Sequence, residues 1–166
     1  MQFLAAAALS ALIATGSSLA AAFHAADWVN GRVTAAQAAG KVVLLDFYTF
    51  ECINCKHTEP NLRALYSTTS RADLMILGVH SPETPYEHDR ANLLASLADQ
   101  GIKWPVVVDN DFTVWNAFGV DAWPTQMLFD RRGVLQKTIV GEGNDGELDA
   151  KVAKLIAQPA VAHVTP

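Results

Sequence analysis

Two short apolar runs organise the chain, Val42 to Tyr48 and Leu74 to His80. Both are rich in β-branched and aromatic residues and too short for buried helices, so they predict buried strands. The segment between them, from Cys52 onward, reads as a helix with Leu62, Leu65 and Tyr66 on its apolar face. Pro60 is expected to kink or restart that helix, because it cannot donate to the preceding turn. A strand–helix–strand order predicts a parallel pair with a right-handed crossover. Both strands then end at one edge of the sheet, where open α/β sheets place their chemistry.

The rest of the chain follows the same kinds of signal. Trp28 is expected to pack, and Thr34-x-x-Gln37 fits a capping box for a short turn closed at Gly40. Thr84-Pro85-Tyr86-Glu87 reads as a helix start, with Ala91, Leu94, Leu97 and Ala98 lining one face and Gly101 ending it. Trp104–Val108 predicts a short strand and Asp111–Phe118 a short helix stopped at Gly119, with Trp104, Trp115 and Phe118 in the core. Gln126–Phe129, a turn at Arg131-Arg132-Gly133, and Val134–Val140 give a β-hairpin signal. Asp145–Ala157 reads as a closing helix, and Gln158–Pro166 as a frayed tail.

A chain of 166 residues suffices for one domain with a proper core. Part of its 51% hydrophobic content belongs to Met1–Ala22, a stretch without a charged side chain. That stretch reads as a secretory signal, with cleavage offered at Ser18-x-Ala20 or Ala20-x-Ala22. The alternative is an uncleaved anchor, since the run approaches membrane-spanning length, although Gly16-Ser17-Ser18 favours a helix break. Either reading puts the domain outside the cytoplasm, where a cysteine pair can cycle or stay oxidised. The division expected is 1–22 signal or anchor, 23–40 lead-in, 41–157 main domain and 158–166 flexible tail. A net charge of −5, with no basic stripe, argues against nucleic acid or an acidic membrane surface as partner.

The chemistry concentrates where the first strand meets the helix. Cys52 and Cys55 are the only cysteines, so no other pairing competes within the chain. The free N–H groups and positive dipole end of a helix stabilise a thiolate on the first cysteine. Two intervening residues let the second sulfur reach back and close a small disulfide ring. Glu51 raises the cost of that thiolate, while Lys56 and the helix end lower it. A purely structural disulfide is the plainer alternative, but so small a loop constrains an unfolded chain little. A metal site would add His57, which falls two residues past Cys55 and faces elsewhere on the helix. Asp46 interrupts an otherwise apolar strand; burial would raise its pKa and make it a proton acceptor for Cys55. His80 and Glu83 fall near the same edge, as site residues or as ordinary loop residues.

Asp46-Phe47-Tyr48, then Cys52-x-x-Cys55-Lys56 and Pro60, resembles the active-site segment of thioredoxins. Thr49 to Cys55 is similar to a Thr-x-x-Cys-Ile-Asn-Cys run of the exported TlpA-like and DipZ-like branch, and Gly78-Val79-His80-Ser81-Pro82-Glu83 resembles that branch too. Glu51 departs from the pattern, standing where thioredoxins usually carry Trp. Gly119-Val120, Trp123-Pro124-Thr125, a hairpin, Gly141 and a last helix repeat the family's order, so the likeness spans about Lys41 to Ala157.

The resemblance implies an α/β, thioredoxin-like fold, a central mixed β-sheet flanked by helices, with an extra helical excursion after the second parallel strand. It also implies that Pro124 is a cis-proline facing the cysteine pair, with the Trp123 backbone turned outward toward an extended substrate. The expected activity is that of an exported, periplasmic thiol–disulfide oxidoreductase. Its partners would be protein thiols or disulfides, with a membrane electron carrier to reload it and no diffusible cofactor. The competing readings are a copper or haem-protein assembly chaperone using Cys52, Cys55 and His80, and a peroxiredoxin-like peroxidase.

Overall fold

The computed structural model describes residues 19–159. Its elements in chain order are α1 (Ala20–Phe23), β1 (Trp28–Val29), α2 (Ala35–Ala38), β2 (Val42–Tyr48), α3 (Ile53–Thr68) and β3 (Leu74–His80). There follow α4 (Arg90–Asp99), β4 (Val106–Val108), α5 (Thr113–Phe118), β5 (Thr125–Phe129), β6 (Leu135–Val140) and α6 (Asp145–Ile156). The strands form one mixed sheet in the order β1-β4-β3-β2-β5-β6. β2, β3 and β4 run parallel, while β1, β5 and β6 each pair antiparallel with their neighbours. This is a thioredoxin-like fold, with β2 in the interior of the sheet.

Alternation along β2 sorts its side chains between two cores. Val42, Leu44 and Tyr48 join Cys55 and Leu62 of α3, Leu93 and Leu97 of α4, and Leu148, Val152 and Leu155 of α6. Val43, Leu45 and Phe47 join Ala22 and Phe23 of α1, Ala38 of α2, and Val114, Trp115 and Phe118 of α5. The period of two therefore sends Asp46 to the α3 face. Next to it in register on β3 is Gly78, where a Cβ would come within 3.0 Å of both Tyr48 Cε1 and Val106 Cγ2.

The two parallel strands, the Thr34–Gln37 capping box and the left-handed Gly119 after α5 stand as the sequence predicts. Three expectations need correction. α3 does not restart at Pro60 but runs unbroken through it, with the proline on the exposed side of the helix. The helix expected from Thr84 begins at Arg90. Glu87 turns inward instead of opening a helix, and Asp89 caps α4 by accepting from the amides of Ala91 (2.8 Å) and Asn92 (3.1 Å). That start turns Leu93 and Leu97 to the core and leaves Leu94 exposed.

β6 closes one side of the sheet, and among the described residues no strand pairs with its outer edge. Leu135 and Val140 are exposed on it, Lys137 pairs with Glu147 of α6 at 2.5 Å, and a register shift interrupts the β5–β6 ladder at Leu128/Phe129. The expected signal or anchor lies outside the described residues up to position 18, as does the tail from 160. Among the described residues no helix is long and apolar enough to cross a membrane.

Candidate functional site

The interior strand β2 delivers the chain to the N-terminus of α3 through Thr49, Phe50 and Glu51. Cys52 is the N-cap of that helix, and its sulfur accepts the Cys55 amide at 3.2 Å. Cys52 and Cys55 are joined as a disulfide, with their Cα atoms 5.2 Å apart. The two cysteines differ in exposure: Cys52 is half-buried, whereas Cys55 is 1% exposed.

Asp46 is 3% exposed on the same face of the sheet as Cys55. Its cross-strand neighbour Gln126 donates Nε2 to its Oδ1 at 3.4 Å. Burial pushes the carboxyl from the ordinary 3.8 up to about 7; the Gln126 hydrogen bond opposes the shift and the charge of Glu59 adds to it. A carboxyl poised there can take or return a proton near neutral pH.

Glu59 was not a candidate from the sequence. It lies one helical turn beyond Cys55, in the buried stripe Cys55, Thr58, Glu59, Leu62 of α3. Burial raises its carboxyl to about 7, although the Arg63 guanidinium, 3.3 Å from Oε2, pulls it down. The spacing of four from Cys55 was the available signal.

The segment before Cys52 is held by the chain that follows β3. Glu87 is 1% exposed, and its carboxylate accepts the Thr49 hydroxyl and the amides of Glu51 (3.0 Å), Glu83 (2.9 Å) and Thr84 (2.9 Å). Burial alone would raise its pKa, but these hydrogen bonds outweigh burial and hold it below the usual range. The Phe50 ring stacks on His80 (centroids 5.3 Å, 12° between planes) and meets Tyr86 edge-on at 5.8 Å. His80 is fully buried, with its Nε2 3.4 Å from the Thr49 hydroxyl; burial lowers its pKa to about 4, so the ring is neutral. Glu83 contributes its backbone amide, while its side chain is exposed.

Trp123 lies against the core cluster that contains Cys55, as half-buried Cys52 does. Its indole donates to the Ser81 carbonyl at 3.1 Å and packs on Trp115 with centroids 4.5 Å apart. The Trp123–Pro124 peptide is cis, and the buried Pro124 accepts the Gly141 amide at 2.8 Å. His57 pairs with Glu142. Among the described residues no three His, Cys, Asp or Glu side chains gather as a metal-binding group.

The profile of the AhpC/TSA family matches residues 17–138. Protein DipZ of Mycobacterium tuberculosis is 33% identical over 129 residues, covering 76% of this chain and 19% of that protein. The chain thus spans about a fifth of the length of DipZ. Thiol-disulfide oxidoreductase YkuV of Bacillus subtilis is 27% identical over 132 residues, covering 79% of this chain and 88% of that one. Among solved structures, the thioredoxin-like superfamily protein SPOA0173 superposes with a TM-score of 0.73 at 25% identity, over 82% of this chain and 94% of its own.

Proposed function

The chain belongs to the AhpC/TSA family, in its TlpA/DipZ-like, thioredoxin-fold branch, and from that membership we propose that it is an exported oxidoreductase exchanging disulfides with protein thiols. The observation that carries the reading is the Cys52–Cys55 disulfide at the N-terminus of α3, with Cys52 half-buried and Cys55 buried. In the reduced protein the Cys52 thiolate attacks one sulfur of a substrate disulfide. A Cys52–substrate disulfide forms, and the second substrate sulfur leaves as a thiolate. Cys55 gives its proton to Asp46 and attacks the Cys52 sulfur. The internal disulfide is restored and the first substrate sulfur is released. Two electrons pass from the pair to the substrate, and the opposite traffic would oxidise substrate thiols.

The pair itself stores the electrons, so no diffusible cofactor is needed. Trp123 and Pro124 are proposed to present backbone to an extended substrate segment, an assignment supported by Trp123 packing against the cysteine cluster. The uncharged Met1–Ala22 stretch supports export, and a membrane electron carrier on that side would reload the pair. Cys55→Ser removes the resolving sulfur, so it should accumulate mixed disulfides with substrate proteins, visible on non-reducing gels and released by reductant. Cys52→Ser should accumulate none; trapping by Cys52→Ser instead would reverse the assignment.

A further inference from the structure

Each of the three residues that lead into Cys52 is gripped by the excursion between β3 and α4. The Thr49 hydroxyl and the Glu51 amide both donate to Glu87 Oε1, the latter at 3.0 Å. The Phe50 ring is held between His80 and Tyr86, and its carbonyl accepts Gln100 Nε2 at 3.3 Å. Glu87 Oε2 meanwhile accepts the amides of Glu83 and Thr84, each at 2.9 Å. One buried carboxylate therefore joins the loop after β2 to the loop after β3. Four donors surround it, and among the described residues no Lys or Arg pairs with it. A buried carboxylate without a cation is costly unless hydrogen bonds replace its water, and these four do so.

We infer that Glu87 is a positioning residue of the redox site, fixing the loop that carries Cys52 and placing a permanent negative charge against the residue that precedes it. This inference rests on the proposed exchange activity of the cysteine pair. A fixed negative charge disfavours a thiolate nearby and so favours the disulfide over the reduced pair. The other charged or titratable groups around this loop and its cleft are the exposed Glu51, Lys56, Glu83 and Asp99, the Glu59–Arg63 pair, buried Asp46, neutral His80, and His88, which repels a charge on His80. None of them changes in the variants below. Glu87 thus provides one way for the excursion to set the poise of the pair without touching either cysteine.

The test compares Glu87→Gln, which removes the charge, with Thr49→Val, which removes one donor and keeps the charge. The readout is the pH dependence of Cys52 alkylation by iodoacetamide in the reduced protein, which requires no turnover of a protein substrate. Glu87→Gln should raise the alkylation rate below the thiol pKa by about tenfold, the order expected for one unit charge hydrogen-bonded to the amide of the residue before Cys52. Above the thiol pKa, where Cys52 is a thiolate, it should also shift the equilibrium with glutathione about tenfold toward the reduced form, or about 30 mV. Thr49→Val should lower the melting temperature and leave the alkylation profile in place. A Glu87→Gln profile equal to wild type, or equal displacement by both variants, overturns the inference. Should Glu87→Gln fail to fold, hydrogen exchange in the wild type decides: the Glu51 amide should be protected in both redox states, and exchange at an unprotected rate overturns the clamp. If the wild-type pair alkylates as described but never exchanges with protein disulfides, the proposed activity fails while the assignment of Glu87 survives.

Discussion

Asp46→Asn should make the protein more stable and less active, and the stability gain should grow with pH. Asn has nearly the same shape and keeps an oxygen to accept Gln126 Nε2, so packing and the cross-strand contact at 3.4 Å survive. What is lost is ionisation. In the unfolded chain the Asp46 carboxyl titrates at its ordinary 3.8, whereas burial holds it near about 7 in the fold. The folded state therefore keeps a proton that the unfolded state releases, and wild-type stability declines as pH rises between those two values. At about 1.4 kcal/mol per tenfold the full penalty is about 4 kcal/mol, part of it shared with Glu59. Below about pH 4 nearly all of that penalty is absent, and above about pH 8 it is complete. Denaturant titrations of the oxidised proteins at pH 4 and pH 9 should show Asp46→Asn ahead by less than about 1 kcal/mol at the first and by about 4 kcal/mol at the second. Resolution of mixed disulfides should meanwhile slow about a hundredfold near neutral pH, the usual worth of a general base. An advantage independent of pH, or no advantage at pH 9, would refute the buried-acid account of Asp46.

Two further outcomes test the surroundings of the pair. Glu59→Gln should gain up to about 3 kcal/mol over wild type as pH rises from about 4 to 9, because a carboxyl that burial raises from 4.5 to about 7, against the opposing pull of Arg63, also carries an ionisation penalty; denaturant titration across that range checks it, and a flat difference contradicts it. Gly78→Ala should cost about 1–3 kcal/mol, since its Cβ would be forced to 3.0 Å from Tyr48 and Val106; an unchanged melting temperature would show that these neighbours yield.

The sequence was most legible where a single local rule decides. β2 and β3 fill apolar runs bounded by polar residues, and the cysteine pair follows directly at a helix start, so strands and redox pair alike were readable. Asp46 was readable for the same reason, as the lone acid in a strand buried on both faces. Glu87 was not. Thr84-Pro85-Tyr86-Glu87 satisfies every local requirement of a helix start, and nothing nearby in sequence reveals that the donors for its carboxylate come from Thr49 and Glu51, across the sheet edge. Tertiary hydrogen bonding overrode local propensity there, and the later start of α4 changed which leucines are buried. Glu59 escaped because an acid in a helical stripe is normally read as a solvated position. Its burial follows from α3 lying against the Asp46 face of the sheet.

The free border of β6 bears on how the protein survives crowding. An unpaired strand border invites a second chain to lengthen the sheet, and exposed Leu135 and Val140 would reward the intruder. Two defects spoil the template. The register shift near Phe129 breaks the straight run of donors and acceptors that a newcomer would copy, and the Lys137–Glu147 ion pair would have to be dehydrated beneath it. The molecule is thereby discouraged from polymerising along its own sheet. Neutralising Lys137 would remove one of those two guards and leave the register shift as the other.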